Sequence, residues 1–312
     1  MLFRSDSRTL TLFEATSSGA RSTRGQLAMY ADHQFKHQPR LFLFQVVVTA
    51  CHARLLYWDR SGATVTKAFN LFERPEVLVD FLWRFAHATE RQRGWDDSTV
   101  MASRDERRLF LDAIHTFEKE GGNSIAPTLA AELGKESRTE DYPILRIRVD
   151  DSKGHSRDSF NQAIQSREYL VRRPLYSMCS TPGRGTRGYL AYDLQDRVFK
   201  FLKDSWGPSD ENSLKEVDAY RILEGNNVPG ILPPICGGVV EDRAGGPHST
   251  KSQMFATITP GPNASHNDTT RDLRHSRLVQ DVICSLRGLN SSEELVRVLL
   301  DIINCKTHIL SR

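Results

Sequence analysis

The sequence predicts an α+β protein with two domains behind a loose N-terminal tail. With 312 residues, the chain is long enough for two hydrophobic cores of ordinary domain size. Short alternating runs typical of strands are interspersed with amphipathic segments typical of helices, and we find no internal repeat. The pattern places a flexible tail at residues 1–24, an α+β domain at 25–168 and a second domain at 169–312.

The composition is typical of a soluble globular protein, with 39% hydrophobic and 26% charged residues. A net charge of +3 is too small to predict a nucleic-acid partner, and the longest apolar run, 41–50, is too short to cross a membrane. The five cysteines are far apart, and the histidines match no ligand motif. We therefore expect an intracellular protein, cytoplasmic or nuclear, with no metal, no disulfide framework and no membrane contact.

The pattern of the first domain predicts helices interspersed with strands. In chain order, the predicted elements are a helix from Leu27 to Phe35, a strand at 41–50, a hairpin at 53–69, a helix from Pro75, a helix from Ser103 to Lys119 and a strand at 142–151. Asp59-Arg-Ser-Gly62 supplies the residues of the hairpin turn. The helix from Pro75 should bury one face, formed by Val77, Leu78, Phe81, Leu82 and Phe85. Ser103 and Glu106 form a capping box at the start of the next helix.

The second domain begins with the segment 169–178, which leads into a glycine-rich loop. Two strands, a short helix at 213–227, a loop with a strand at 228–240, a strand at 277–283 and a helix capped at Ser291 follow. The intervening stretch, 241–276, is rich in Gly, Pro, Ser, Thr, Asn and Asp, so we expect most of it to be a mobile loop.

The glycines Gly183, Gly185 and Gly188 fit a pattern shared by two phosphate-binding devices. In the dinucleotide-binding device the glycines must lead into a helix, whereas here they lead into two alternating strands. In the kinase-type device a strand–loop–strand hairpin covers the phosphates, and a lysine on the next strand pairs with them. Lys203 is the better candidate for that lysine, because Lys200 falls on the opposite face of the strand.

This lysine needs a carboxylate from the next helix, and both Glu216 and Asp218 are available. An ordinary hairpin with a glycine turn and solvated lysines accounts for the spacing equally well.

A resemblance favours the kinase-type reading. The stretch "GRGTRGYLAYDLQDRVFKFLKDSW", followed by "EVDAYRIL" and "VPGILPPICGGVV", resembles the small lobe of the fungal-type protein kinase family. "RLFLFQVVVTACHARLLYWDRSGATVTKAFN" and "FLWRFAHATERQRGWD" resemble the segment that precedes this lobe. The likeness covers roughly residues 24 to 306 in the same order, and its most specific blocks are Trp-Asp-Arg-Ser-Gly and Gly-Arg-Gly-Thr-Arg-Gly.

The resemblance implies a kinase-like small lobe preceded by an α+β accessory domain. It implies that Gly183, Gly185, Gly188 and Lys203 bind the phosphates of ATP, and that Asp218 takes the place of the family's glutamate as the partner of the lysine. The family's activity would be transfer of phosphate from ATP to serine or threonine of proteins. Aspartate is one methylene shorter than glutamate, so this ion pair should be strained or bridged by water.

The residues that transfer phosphate are not found in this sequence. Kinases need a catalytic Asp, an Asn and the Asp of an Asp-Phe-Gly motif. The chain has no Asp-Phe-Gly, and the segment Thr270–Leu273 resembles the catalytic loop only superficially, because Arg277 stands where the Asn is required. Too few residues follow Gly183 for a second lobe of ordinary size.

We therefore expect a truncated kinase-like chain without a large lobe, which binds ATP weakly, needs magnesium only with a large lobe, and does not transfer phosphate by itself. Two alternatives stay open. One is a pseudokinase-like scaffold that binds a protein partner through uncovered apolar surface at 277–283 and 292–304, and the other is a degenerate gene fragment.

Overall fold

The computed structural model describes most of the chain. The described residues are 17–119, 142–151, 166–177, 183–210, 214–252, 254, 272–282, 291–293 and 296–301. Helices and antiparallel strands are both abundant, so the predicted α+β class is confirmed. Within these residues no helix has the length and apolar composition needed to cross a bilayer.

The described chain contains four α-helices and twelve strands. The helices are α1 (Ser18–His37), α2 (Pro75–His87), α3 (Arg104–Lys119) and α4 (Glu216–Gly225). The strands are β1 (Leu43–Thr49), β2 (His52–Asp59), β3 (Gly62–Val65), β4 (Phe69–Asn70), β5 (Thr99–Met101), β6 (Leu145–Asp150), β7 (Ser166–Val171), β8 (Pro174–Ser177), β9 (Arg187–Asp193), β10 (Phe199–Pro208), β11 (Cys236–Val239) and β12 (Leu273–Gln280). Residues 292–293 and 296–301 are also helical, where the last helix was predicted.

Helix α1 begins inside the predicted tail. Ser17 is its N-cap, with a side chain that accepts a hydrogen bond from the backbone N–H of Ala20 at 3.3 Å. Residues 18–24 are therefore helical, and Ala20 in this turn is buried. The predicted tail was too long because the Ser- and Arg-rich composition of residues 17–24 does not reveal that they form a capped first turn. Residues 1–16 lie outside the described part.

The first sheet has the order β1-β2-β3, and β4 also pairs with β2. Helix α1 covers it with Leu27 and Phe35, which pack against Leu43, Leu56 and Trp58. The turn between β2 and β3 falls at the predicted residues 59–62.

Helix α2 starts at Pro75 as predicted, but its apolar face is only partly covered. Phe81 and Phe85 lie edge-on to Phe44 of β1, at ring-centroid distances of 5.7 and 6.1 Å. Leu82 is 50% exposed and Trp83 is 61% exposed. The prediction that Leu82 is buried was wrong, because the contacts of α2 with the sheet are made mainly by the two phenylalanines.

The second sheet has eight strands in the order β11-β12-β10-β9-β7-β6-β5, with β8 pairing alongside β7 on the same edge of β9. Its neighbours are antiparallel throughout. The predicted domain boundary between residues 168 and 169 lies inside β7. Strands β5 and β6 come from before this boundary, so one continuous sheet takes strands from both predicted domains.

Helix α3 covers one face of the second sheet. Phe110 and Ile114 pack against Leu170 and Leu190, while residues such as Tyr169, Leu202 and Val279 form a core on the other face. The capping box before α3 is confirmed. The backbone N–H of Ser103 donates to Oε2 of Glu106 at 2.7 Å, and the N–H of Glu106 donates to Oγ of Ser103 at 3.3 Å.

Part of the predicted mobile loop 241–276 is packed instead. His248, Thr250 and Ser252 are 2–4% exposed, and β12 already starts at Leu273. The prediction from polar composition was wrong because these side chains and their backbone are hydrogen-bonded to carboxylates elsewhere in the chain, those of buried Asp59 and partly buried Asp97. Residues 255–271 lie outside the described part of the chain.

Candidate nucleotide site

Lys203 and Glu216 form the ion pair at the centre of the candidate site. Lys203 lies on β10, opposite Gly188 of β9 and Leu278 of β12. Its ammonium Nζ donates to both carboxylate oxygens of Glu216, at 2.6 and 2.8 Å. The two side chains are 23% and 32% exposed. The pair is thus fixed by two charge-assisted hydrogen bonds and still open to solvent on one side.

The partner of Lys203 is therefore Glu216, whereas Asp218 was predicted. Helix α4 begins at Glu216, so this residue lies in the first turn and faces β10. Residues two apart point to different sides of a helix, and Val217 is the residue of α4 that is buried. Counting along the chain aligned Asp218 with the family's glutamate, but the start of the helix decides which carboxylate reaches the lysine.

The ring of Tyr176 lies beside this pair. It stacks on Phe201 at 6.2 Å between ring centroids, and it crosses Gly188 so closely that a Cβ there would overlap the ring. Burial, and then the negative charge of Glu216, raise the pKa of Tyr176. No sequence pattern points to this aromatic residue, because its position beside the ion pair depends on β8 pairing with β9.

The other two loop glycines contact a turn of the first sheet. The N–H of Gly183 donates to the carbonyl oxygen of Arg60 at 2.9 Å. Gly185 has φ +48°, and a Cβ there would lie 2.5 Å from Cζ of Arg60. Gly185 is needed both for its backbone conformation and for the close approach of Arg60. Of the predicted phosphate-binding glycines, only Gly188 is paired directly with Lys203 in the sheet.

A comparison of the sequence with the profiles of known protein families shows which family the chain belongs to. The profile of the family described as fungal protein kinase matches residues 8–311. The chain belongs to the fungal protein kinase family. No curated protein and no solved structure matches it. The match includes both sequence blocks that carry the resemblance, so a single family profile covers the strands of both sheets.

In this member of the fungal protein kinase family, the turn at 59–62 is also hydrogen-bonded to the segment 251–252. Oδ1 of Asp59 accepts the N–H groups of Ser61 and Gly62, at 2.8 and 3.3 Å. Oδ2 accepts the N–H groups of Lys251 and Ser252, at 2.7 and 2.8 Å. A single buried carboxylate therefore holds the turn in shape and ties it to a distant segment.

Two cavities of ligand size lie away from the ion pair. The larger, about 820 Å³, is lined by residues that include Trp95, Asp96, Asp97 and Met101. The other, about 630 Å³, lies between α3 and β10 and is lined by residues that include Phe117 and Phe199. Neither is lined by Lys203 or Glu216, so the ion pair borders open solvent rather than either cavity.

Proposed function

We propose that this fungal protein kinase family member binds ATP through Lys203 and the glycine loop, and that these 312 residues alone do not transfer its phosphate. The observation that carries the proposal is the Lys203–Glu216 ion pair. In protein kinases the phosphate-binding lysine must be held by a glutamate of the following helix. Here a strand–glycine loop–strand hairpin, a lysine and a helical glutamate follow one another in that order.

The geometry suits phosphate binding. A lysine ammonium has three N–H donors, and two of them are directed at Glu216. The third is available for a phosphate oxygen, and the partial exposure of the pair lets a ligand approach. Gly188 leaves room beside the lysine for the ring of Tyr176, which is 43% exposed and offers an aromatic surface for the base.

The proposal that these residues alone do not transfer phosphate is based on the sequence. No Asp-Phe-Gly occurs in it. Asp272, the aspartate of the superficial catalytic-loop match, instead accepts hydrogen bonds from Oγ of Ser209 at 2.6 Å and from Oγ1 of Thr250 at 3.3 Å. These contacts give Asp272 a structural role. Magnesium binding of the kinase type would require the missing aspartate and asparagine.

Binding is tested by titrating the chain with ATP and following its thermal unfolding. We expect a saturable rise in Tm of about 2–4 °C for each kcal/mol of linkage free energy. Lys203→Ala should abolish the rise. Lys200→Ala is the matched control, because Lys200 also forms an ion pair, with Asp281 at 2.6 Å, on the other face of the strand. Equal responses of the two variants would contradict the proposed site.

Transfer is tested separately with radiolabelled ATP, magnesium and a generic protein substrate. We expect no signal that depends on Lys203. Robust transfer that disappears in Lys203→Ala would overturn the second half of the proposal while leaving the first half intact.

The alternative function, a protein-interaction scaffold, is favoured by one observation. Val296, Leu299 and Leu300 in the last described helical segment are each about half exposed. The predicted apolar surface at 277–283 is not uncovered in the described residues 277–280, because Leu278 and Val279 are buried. The alternative therefore depends on the helical segment alone.

If the scaffold role holds, a protein partner should be retained by the wild type and lost by Leu299→Glu. Leu82→Glu, at an equally exposed leucine of α2, is the control. A partner that both variants retain, or no partner at all, would argue against a role for this helix.

A further inference from the structure

Three buried side chains from distant parts of the chain lie close together. They are Asp96, which precedes β5, His248, which follows β11, and His275 of β12. Their exposed fractions are 5%, 4% and 2%. One oxygen or nitrogen atom from each lies within 4.8 Å of the others. Burying two imidazoles and a carboxylate side by side costs free energy unless their polar atoms are paired, so the interactions of this cluster have to be identified.

The outward nitrogen of each histidine faces a carboxylate. Nε2 of His248 lies 2.9 Å from Oδ1 of Asp97, and Nε2 of His275 is hydrogen-bonded to Oδ1 of Asp204. An ionised carboxylate can only accept, so each histidine must carry its proton on Nε2. In the neutral form of each ring, this tautomer leaves Nδ1 without a proton.

The two unprotonated nitrogens point at each other. Nδ1 of His248 and Nδ1 of His275 are 3.5 Å apart, and Oδ1 of Asp96 lies 3.8 Å from Nδ1 of His248. The two facing nitrogen lone pairs repel each other in a buried site unless a cation lies between them. The charge of Asp96 is balanced at Oδ2, where Arg277 donates at 2.7 Å, and its Oδ1 accepts from the N–H of Ser98 at 2.9 Å. A shared proton can bridge the two nitrogens only, whereas a metal ion can bind all three atoms.

We propose that Asp96, His248 and His275 bind one divalent transition-metal ion of the zinc class. Metal–ligand bonds of about 2.0–2.1 Å separate tetrahedral ligand atoms by about 3.3 Å, close to the distance between the two Nδ1 atoms. Two imidazoles and one carboxylate suit zinc and its neighbours better than magnesium or calcium.

The surroundings match those of metal-binding histidines. Such histidines usually donate their second ring N–H to a carboxylate, which fixes the ring and strengthens the ligand, and here Asp97 and Asp204 accept from the two rings. The indole of Trp206 stacks on His275 at 4.8 Å with an interplanar angle of 4°. Asp97 and Asp204 are positioning residues for the two ligands.

The cavity of about 820 Å³ borders the site at Asp96, which is among its lining residues together with Asp97, whereas neither histidine lines it. It can supply a water molecule as the fourth ligand. The three protein ligands come from both predicted domains, so the ion would link the segment before β5 to β12 and to the segment after β11. This inference does not depend on ATP binding.

The test begins with the wild-type chain. After chelator treatment and addition of Co²⁺ or Zn²⁺, we expect one metal ion per chain by mass spectrometry. Visible absorption bands of tetrahedral cobalt and a rise in Tm with zinc should accompany it. A chain that retains no metal, gives no cobalt bands and shows no rise in Tm would overturn the proposal and leave a shared proton as the explanation.

Matched variants locate the site. In His248→Gln and His275→Gln the glutamine amide can still donate to Asp97 or Asp204, but the ligand atom Nδ1 is gone. Each variant should lose the metal ion, whereas His87→Gln on the exposed surface of α2 should keep it. Full metal content in both site variants would overturn the assignment. If the site variants do not fold, metal content and cobalt absorption of the wild type decide.

Discussion

Arg277→Met should destabilise the folded chain by about 3–5 kcal/mol, because it removes the arginine that lies between two buried carboxylates and balances part of their charge. Arg277 is 2% exposed and donates from Nη2 to Asp96 at 2.7 Å, while its Nε lies 3.7 Å from Asp204. Burial tends to raise the pKa of Asp96, but the charge of Arg277, with help from neighbouring groups, lowers it to about 2. Asp96 is therefore ionised at neutral pH and depends on the arginine.

Urea unfolding followed by tryptophan fluorescence measures this effect. Arg274→Met is the control, since Arg274 lies on the same strand, three residues earlier and on the opposite face, and is partly exposed. We expect the control to change the free energy of unfolding by less than about 1 kcal/mol. Similar losses in the two variants would show that the buried charge cluster has no special weight.

Asp59→Ala should be destabilising by about 4 kcal/mol or more. Asp59 is 1% exposed, and four backbone N–H groups donate to its two oxygens. Each buried donor left without an acceptor costs about 1–3 kcal/mol. Asp59→Asn keeps one oxygen and turns an NH₂ group towards the other pair of donors, so about half of the loss is expected.

Hydrogen exchange distinguishes this explanation from a general loss of stability. In Asp59→Asn, either the amides of Ser61 and Gly62 or those of Lys251 and Ser252 should exchange faster than the rest of the first sheet. Asp80→Asn on the exposed face of α2 is the control and should leave all four amides protected. Uniform acceleration across the sheet would mean that Asp59 does not act through these four bonds.

Local signals were sufficient to predict many of the elements. The capping box of Ser103 and Glu106, the proline at the start of α2 and the turn at 59–62 each lie within a few residues of the structure that they specify. Lys203 was likewise placed on the correct strand, because the alternation of β10 separates it from Lys200. Hydrophobic periodicity and helix capping depend on residues that are close together in the chain, so both can be recognised in a sequence.

Contacts between distant segments were not predictable in the same way. The choice of Glu216 over Asp218 depends on where α4 begins relative to β10. The cluster of Asp96, His248 and His275 has no sequence motif, because its members meet only when β12 pairs with β10 and β11. The segment 248–252 looked like a loop since its partners, Asp59 and Asp97, lie far away in the chain.

The continuous second sheet limits how the chain can be divided. All six residues of β6 pair with β7, and a piece of the chain starting at residue 169 would lose that neighbour. It would then present a bare strand edge, with unpaired N–H and C=O groups that invite pairing with other molecules. A piece of the chain that starts at residue 169 should therefore aggregate, because the residues before 169 cover this strand edge in the intact protein.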